Sequence, residues 1–220
     1  MIEICFPDKS KRPFKKGVTP LEIAQSISEG LARNVLSSSF NGNIIEVSTP
    51  LKKNGDLKLF TWKDFEGKAA FWHSSAHILA QSILSLYPKA KLTIGPSIEN
   101  GFYYDVDFGN FSFTESDLVP LEKKFLEFAR EKFKFKMRMC SKAEALKYYK
   151  KENNPYKLEL IENLKDGEIS FCDHADFTDL CRGGHIPNTG YIKAVKLLSI
   201  AGAYWRGDES RPQLTRIYGI

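Results

Sequence analysis

An α+β fold is predicted for these 220 residues, with a small part over residues 1–62 and a larger part over 63–220 built on a central, mostly antiparallel sheet. Three observations predict it. Helical and strand-like patterns alternate irregularly, without the repeating strand–helix order of a parallel α/β sheet. Asn-Gly pairs at 41–42 and 54–55 punctuate the first sixty residues as turns do. Between 133 and 140, Phe133, Phe135, Met137 and Met139 alternate strictly with Lys134, Lys136 and Arg138, the pattern of a half-exposed strand with a basic outer face.

The elements follow in order. Ile2–Phe6 reads as a strand, Asp8–Arg12 as a polar turn and Pro13–Lys16 as a second strand. Thr19 is placed as N-cap, with Pro20 at the first helical position and Glu22 three residues on, a capping box. Leu21, Ile23, Ala24, Ile27 and Leu31 then recur at helical spacing. Leu36–Phe40 and Asn43–Val47 form a hairpin about Asn41-Gly42, and Asn54-Gly55 marks another turn. Strands around one helix in so short a stretch suggest a β-grasp, and G-V-T-P-L-E-I-A-Q-S-I-S followed by F-N-G resembles the TGS domain.

After a polar hinge at Lys63–Lys68, a helix runs from Phe71 to Tyr87 and is closed by Pro88. Thr93–Pro96 and Phe102–Phe108 read as strands, the second with Asp105 and Asp107 turned outward. Thr114 and Asp117 open a helix to about Lys132, and Ser141 with Glu144 caps another through Tyr149. Beyond Asn154-Pro155 come a short helix, a strand at Ile169–Cys172, a loop to Asn188, and strands near Ala194–Ile200 and Tyr204–Gly207.

Composition narrows the function classes. The 42% apolar and 27% charged content excludes disorder, and no run of about 18 uncharged apolar residues exists to span a membrane. The charge of +5 permits a polyanionic partner without demanding one. Cys5, Cys140, Cys172 and Cys181 are irregularly spaced in a chain too long to need stapling, so free thiols in a reducing cytoplasm are expected.

Only four histidines are present, and two of them, His73 and His77, sit four apart on one predicted helix. Their Cβ atoms should be about 5–6 Å apart, which suits converging ligands or a proton-handling pair. The intervening Ser74, Ser75 and Ala76 supply no glutamate, which disfavours a metalloprotease. Cys181 and His185 form a second pair, flanking Gly183 and Gly184, and lie far along the chain. Joining two pairs 104 positions apart costs about 4 kcal/mol of loop-closure entropy, so only a folded core could assemble them. Together they offer three nitrogens and one sulfur. That set could be a tetrahedral zinc site, or, without metal, the base, acid and oxyanion stabiliser of ester hydrolysis.

H-S-S-A-H-I-L-A-Q-S, G-F-Y-Y-D-V-D-F, N-P-Y-K-L-E-L-I, D-L-C-R-G-G-H-I-P-N-T-G and A-G-A-Y-W-R-G-D, in that order behind the TGS-like segment, resemble the N-terminal half of threonyl-tRNA synthetases. The resemblance covers essentially the whole chain. It implies an editing domain over 63–220 that hydrolyses seryl-tRNA mischarged on the threonine tRNA, with the aminoacylation core absent. A missing methyl is worth only about 1–3 kcal/mol in a binding pocket, so a second, smaller sieve is needed to remove serine.

Carried over by motif, His73 and His185 are the expected catalytic histidines, with Lys157, Asp179 and Cys181 beside them. Lys157 would stabilise the oxyanion or position water, and Asp179 would meet the substrate amine. His77, Tyr103, Tyr104, Arg182 and Gly183 are the expected substrate-binding residues. The family commonly has C-R-G-P-H where this chain has C-R-G-G-H, which puts the placement of His185 in question.

No cofactor is expected for editing. Zinc on His73, His77, Cys181 and His185 is the alternative, as in the alanyl-type editing domains; ATP and a catalytic zinc would belong to the missing core. The expected partner is tRNA, in the cytoplasm and away from membranes, with the parent enzyme a homodimer through that core. A zinc-dependent alanyl-type hydrolase and a non-catalytic tRNA-binding module are the competing readings.

Overall fold

The computed structural model describes residues 1–220 and divides into two compact units, Met1–Phe71 with Gly183–Asn188, and Trp72–Arg182 with Thr189–Ile220. Both are α+β. No helix is long and apolar enough to cross a membrane.

In the first unit the order is β1 (Ile2–Cys5), β2 (Lys11–Phe14), α1 (Pro20–Ile27), α2 (Glu29–Asn34), β3 (Ser37–Phe40), β4 (Asn43–Ile45) and β5 (Gly55–Phe60). They form one mixed sheet, β2-β1-β5-β3-β4, in which only β1 and β5 run parallel. The hairpin turn places Asn41 and Gly42 at φ 50° and 80°, the left-handed pair such a two-residue loop requires. Thr19 and Glu22 make the expected capping box. Ile23 then packs with Ile2, Ile4, Leu51 and Leu57 in the core. Thr19→Ala is expected to cost about 1 kcal/mol of stability, read by denaturant unfolding.

Three expectations are corrected here. The helix expected to run on to Leu31 breaks at Ser28, whose extended backbone ends α1 and whose hydroxyl accepts from the Leu31 amide to start α2. Ile27 is consequently exposed. Asn54-Gly55 leads directly into β5, the strand at the sheet's centre, whose Leu57 and Leu59 alternate with Asp56 and Lys58. The supposed hinge at 63–68 is instead largely the start of a helix, α3 (Phe65–Leu86). Gly67 permits this, since a Cβ there would lie 2.0 Å from the Thr61 carbonyl oxygen.

The second unit continues from α3 with β6 (Lys91–Leu92), β7 (Ser97–Ile98), β8 (Gly101–Asp107), α4 (Leu118–Arg130), β9 (Lys136–Met139), α5 (Lys142–Lys151), α6 (Pro155–Glu162), β10 (Ser170–His174), β11 (Phe177–Leu180), β12 (Leu197–Tyr204) and β13 (Gln213–Gly219). Its strands form antiparallel sheets, as expected, in two groups: β12-β13-β8-β6, with β7 also on β8, and β11-β10-β9. Helices α5 and α6 cover the second sheet through Ala145, Tyr149 and Ile161 packed on Ile169 and Phe171.

Thr93–Pro96 is irregular chain between β6 and β7, though Thr93 and Ile94 still exchange backbone bonds with Asp105. Asp105 does not face water; it is buried against a two-pronged Arg216 ion pair at 2.7 and 2.8 Å. Met139, expected inward, is exposed as the last residue of β9, an edge strand of its sheet. The loop expected up to Asn188 contains β11, turned back on β10 through Ala175 at φ 50°. Residues 205–207 are a helical turn joining β12 to β13, not a strand.

Candidate active site

Helix α3 carries His73 and His77 on one face, and β11 delivers Asp179 and then Cys181 just past its end. The structure brings these groups together. His73 Nε2 lies 3.0 Å from Cys181 Sγ and 3.3 Å from His77 Nε2, and His77 Nε2 lies 3.3 Å from the same sulfur. His77 and Cys181 are buried and His73 is half-buried. The other ring nitrogen of His77 is 3.9 Å from Asp179 Oδ2.

Asp179 organises the adjacent wall. It accepts from Lys157 Nζ at 2.5 Å, the Tyr104 hydroxyl at 3.0 Å and the Tyr149 hydroxyl at 3.1 Å. The Leu180 amide donates to it at 2.8 Å. Lys157 is 3% exposed and Asp179 4%, so this pair has left water and must be compensated by its own bonds. Lys157 sits at the start of α6, where its amide donates to the side chain of the N-cap Asn154, and Asn154 in turn donates to the Leu92 carbonyl. Burial, and next the Asp179 charge, pushes both tyrosine hydroxyls well above the ordinary tyrosine pKa, so both stay protonated donors.

These groups line a cavity of about 530 Å³ whose wall includes His73, His77, Tyr104, Lys157, Asp179 and Cys181. Arg182 also lines it, from an exposed position. Gly95 forms part of the wall, and a Cβ there would lie 2.1 Å from the Tyr104 ring. Tyr103 is not among the lining residues. It alternates to the other face of β8, where its ring meets Tyr218 and the Arg216 guanidinium.

Gly183 and His185 belong to the first unit. There His185 is fully buried, and its Nδ1 lies 3.0 Å from Glu46 Oε1. Glu46 and Tyr149 are the site-associated groups that the motifs did not indicate. For Tyr149, the signal was its place on the inner face of a capped helix that ends beside Asn154.

The donor set is compatible with a metal. The ligand atoms of His73, His77 and Cys181 lie within 4.8 Å of one another. Their separations approach the edges, roughly 3.3–3.6 Å, of a tetrahedron with zinc–nitrogen and zinc–sulfur bonds of ordinary length.

A small mixed sheet crossed by a capped helix, followed by an antiparallel α+β unit holding a histidine–cysteine cluster, defines a two-part architecture with matching families. Residues 2–61 match the TGS domain, and residues 169–218 match the threonyl and alanyl tRNA synthetase second additional domain. The chain carries both. Over its full length it is similar to threonine–tRNA ligases: 63% identical to that of Flavobacterium johnsoniae, 60% to that of Flavobacterium psychrophilum, and, over 99% of the chain, 48% to that of Caldanaerobacter subterraneus subsp. tengcongensis. It spans 34% of the length of each of these relatives.

Proposed function

We propose that this chain is the proofreading portion of a threonine–tRNA ligase, acting in the cytoplasm to hydrolyse the ester of mischarged seryl-tRNA. The observation that carries this reading is the His73–His77–Cys181 cluster opening onto a cavity that is also lined by a buried Lys157–Asp179 pair and the Tyr104 hydroxyl bonded to it.

The reading assigns each group a task. The aminoacyl ester enters the cavity with the terminal adenosine at its mouth. Asp179 attracts the α-ammonium, and Lys157, held by Asp179, stabilises negative charge developing on the carbonyl oxygen. His73 takes a proton from the attacking water or manages the ribose hydroxyl that leaves, and His77 and Cys181 orient it. The reading also counts His185 among the catalytic groups, four positions after Cys181 in the motif. Tyr104 and the Gly95 backbone limit the pocket, which supports admission of a hydroxymethyl side chain and exclusion of one carrying a further methyl.

The hydrolysis is proposed to need no metal. Zinc dependence is the second reading, favoured by the near-tetrahedral separations in the cluster. His73, His77 and Cys181, with His185, would hold the ion, which would supply a Lewis acid for a bound water. Incubation with seryl-tRNA tests the function: serine release faster than in buffer is expected, and an unchanged ester half-life would remove the enzyme claim. Metal analysis of the active protein separates the two readings, since stoichiometric zinc whose removal abolishes release favours the second.

A further inference from the structure

Glu46 follows β4 in the TGS segment, and none of the motifs above touches it. Its carboxylate nevertheless gathers three N–H donors from a loop 139 positions away. The Gly184 amide reaches Oε1 at 3.0 Å, and the His185 amide reaches Oε1 and Oε2 at 3.3 and 3.2 Å. The His185 ring reaches Oε1 through Nδ1 at 3.0 Å. Gly183 and Gly184 make this convergence possible with φ of 94° and 87°, turning successive amides toward one anion. Proline at 184 would lack the amide proton and could not adopt that φ. Glycine at 184 is therefore what the Gly184 amide contact to Glu46 requires. A carboxylate bonds the loop at this point.

We propose that Glu46 is a positioning residue for ester hydrolysis, fixing the tautomer and orientation of His185 from within the TGS segment. The inference rests on the proposed function and names a further part of its machinery. An ionised carboxylate only accepts, so the neutral ring must carry its proton on Nδ1 and keep the basic lone pair on Nε2. The ring is fully buried and the Glu46 side chain is 13% exposed, so water does not readily replace the contact. A carboxylate behind a working histidine performs this service in hydrolases and metal sites alike.

The test compares the unaltered chain with Glu46→Ala and Glu46→Gln, using seryl-tRNA as substrate and nitrogen NMR of the His185 ring. Glu46→Ala is expected to lower kcat about 10- to 100-fold, with KM within about twofold, and to lose the Nδ1–H tautomer. Glu46→Gln should recover part of the loss, because its amide oxygen still accepts one N–H. A merely structural clamp would lower the melting temperature without altering the ring tautomer. Unaltered kcat in Glu46→Ala, with the parent chain active, overturns the inference and leaves the proposed function standing. A parent chain that releases no serine removes the proposed function and the positioning role with it. An Nε2–H tautomer in the parent chain overturns the inference whichever variants fold.

Discussion

Asp179→Ala is expected to destabilise the protein by about 3–5 kcal/mol, the cost of leaving a buried charge without its partner. Lys157 loses its counter-ion at 3% exposure, while the Tyr104 and Tyr149 hydroxyls and the Leu180 amide lose an acceptor in the same event. The second substitution decides the cause. Adding Lys157→Met to Asp179→Ala should recover a substantial part of the loss, because the orphaned ammonium is then gone and its methylene volume is kept. Urea unfolding of the parent, both single variants and the double variant measures this directly. A single-variant cost below about 1 kcal/mol, or a double variant whose cost is the simple sum, would contradict the account of this pair as a mutually compensated unit.

The largest effect on activity is expected at His73. Replacing it with alanine should lower the rate of serine release by about 10²–10⁴, the usual worth of a positioned acid–base group, with little change in KM. His73 and Cys181 are in direct contact at 3.0 Å, so their effects should not add: the double alanine variant should be little slower than the slower single one. Single-turnover hydrolysis of seryl-tRNA separates this from weakened binding. A His73→Ala variant with the parental rate would remove His73 from the chemistry, whereas a parent chain that binds tRNA with a steep salt dependence and releases no serine would favour a non-catalytic module.

Much of this was legible in the sequence because the informative signals are local. The capping box at Thr19, the Asn41-Gly42 hairpin and the Ser141 cap report backbone geometry within a few residues, and each forms. The missed elements lack such punctuation. Strand β11 follows a turn made by Ala175, which has no sequence signature for a positive φ, and α3 begins inside a polar stretch that a close-packed Gly67 made look like a hinge. Outward alternation failed at Asp105 because its partner, Arg216, arrives from a strand 111 positions away.

The site divides along the same line. Motif positions led to His73, His77, Cys181, Lys157, Asp179 and Tyr104, which do meet at one cavity. Burial, and the bonds that burial demands, decided the rest. Tyr149 reaches Asp179 from α5, and Glu46 reaches His185 across 139 positions. Neither relation has a sequence spacing that could announce it, since each depends on how separate elements pack. Tyr103 shows the converse: its neighbour Tyr104 faces the cavity, and a single step along β8 turns Tyr103 away.

A crystal structure of the chain with a non-hydrolysable seryl-adenosine analogue tests the central claim most directly. The account predicts the seryl group in the cavity, its ammonium toward Asp179, and its carbonyl carbon facing the histidines. An analogue bound away from His73 and Lys157, or a threonyl analogue seated there equally well, would contradict it.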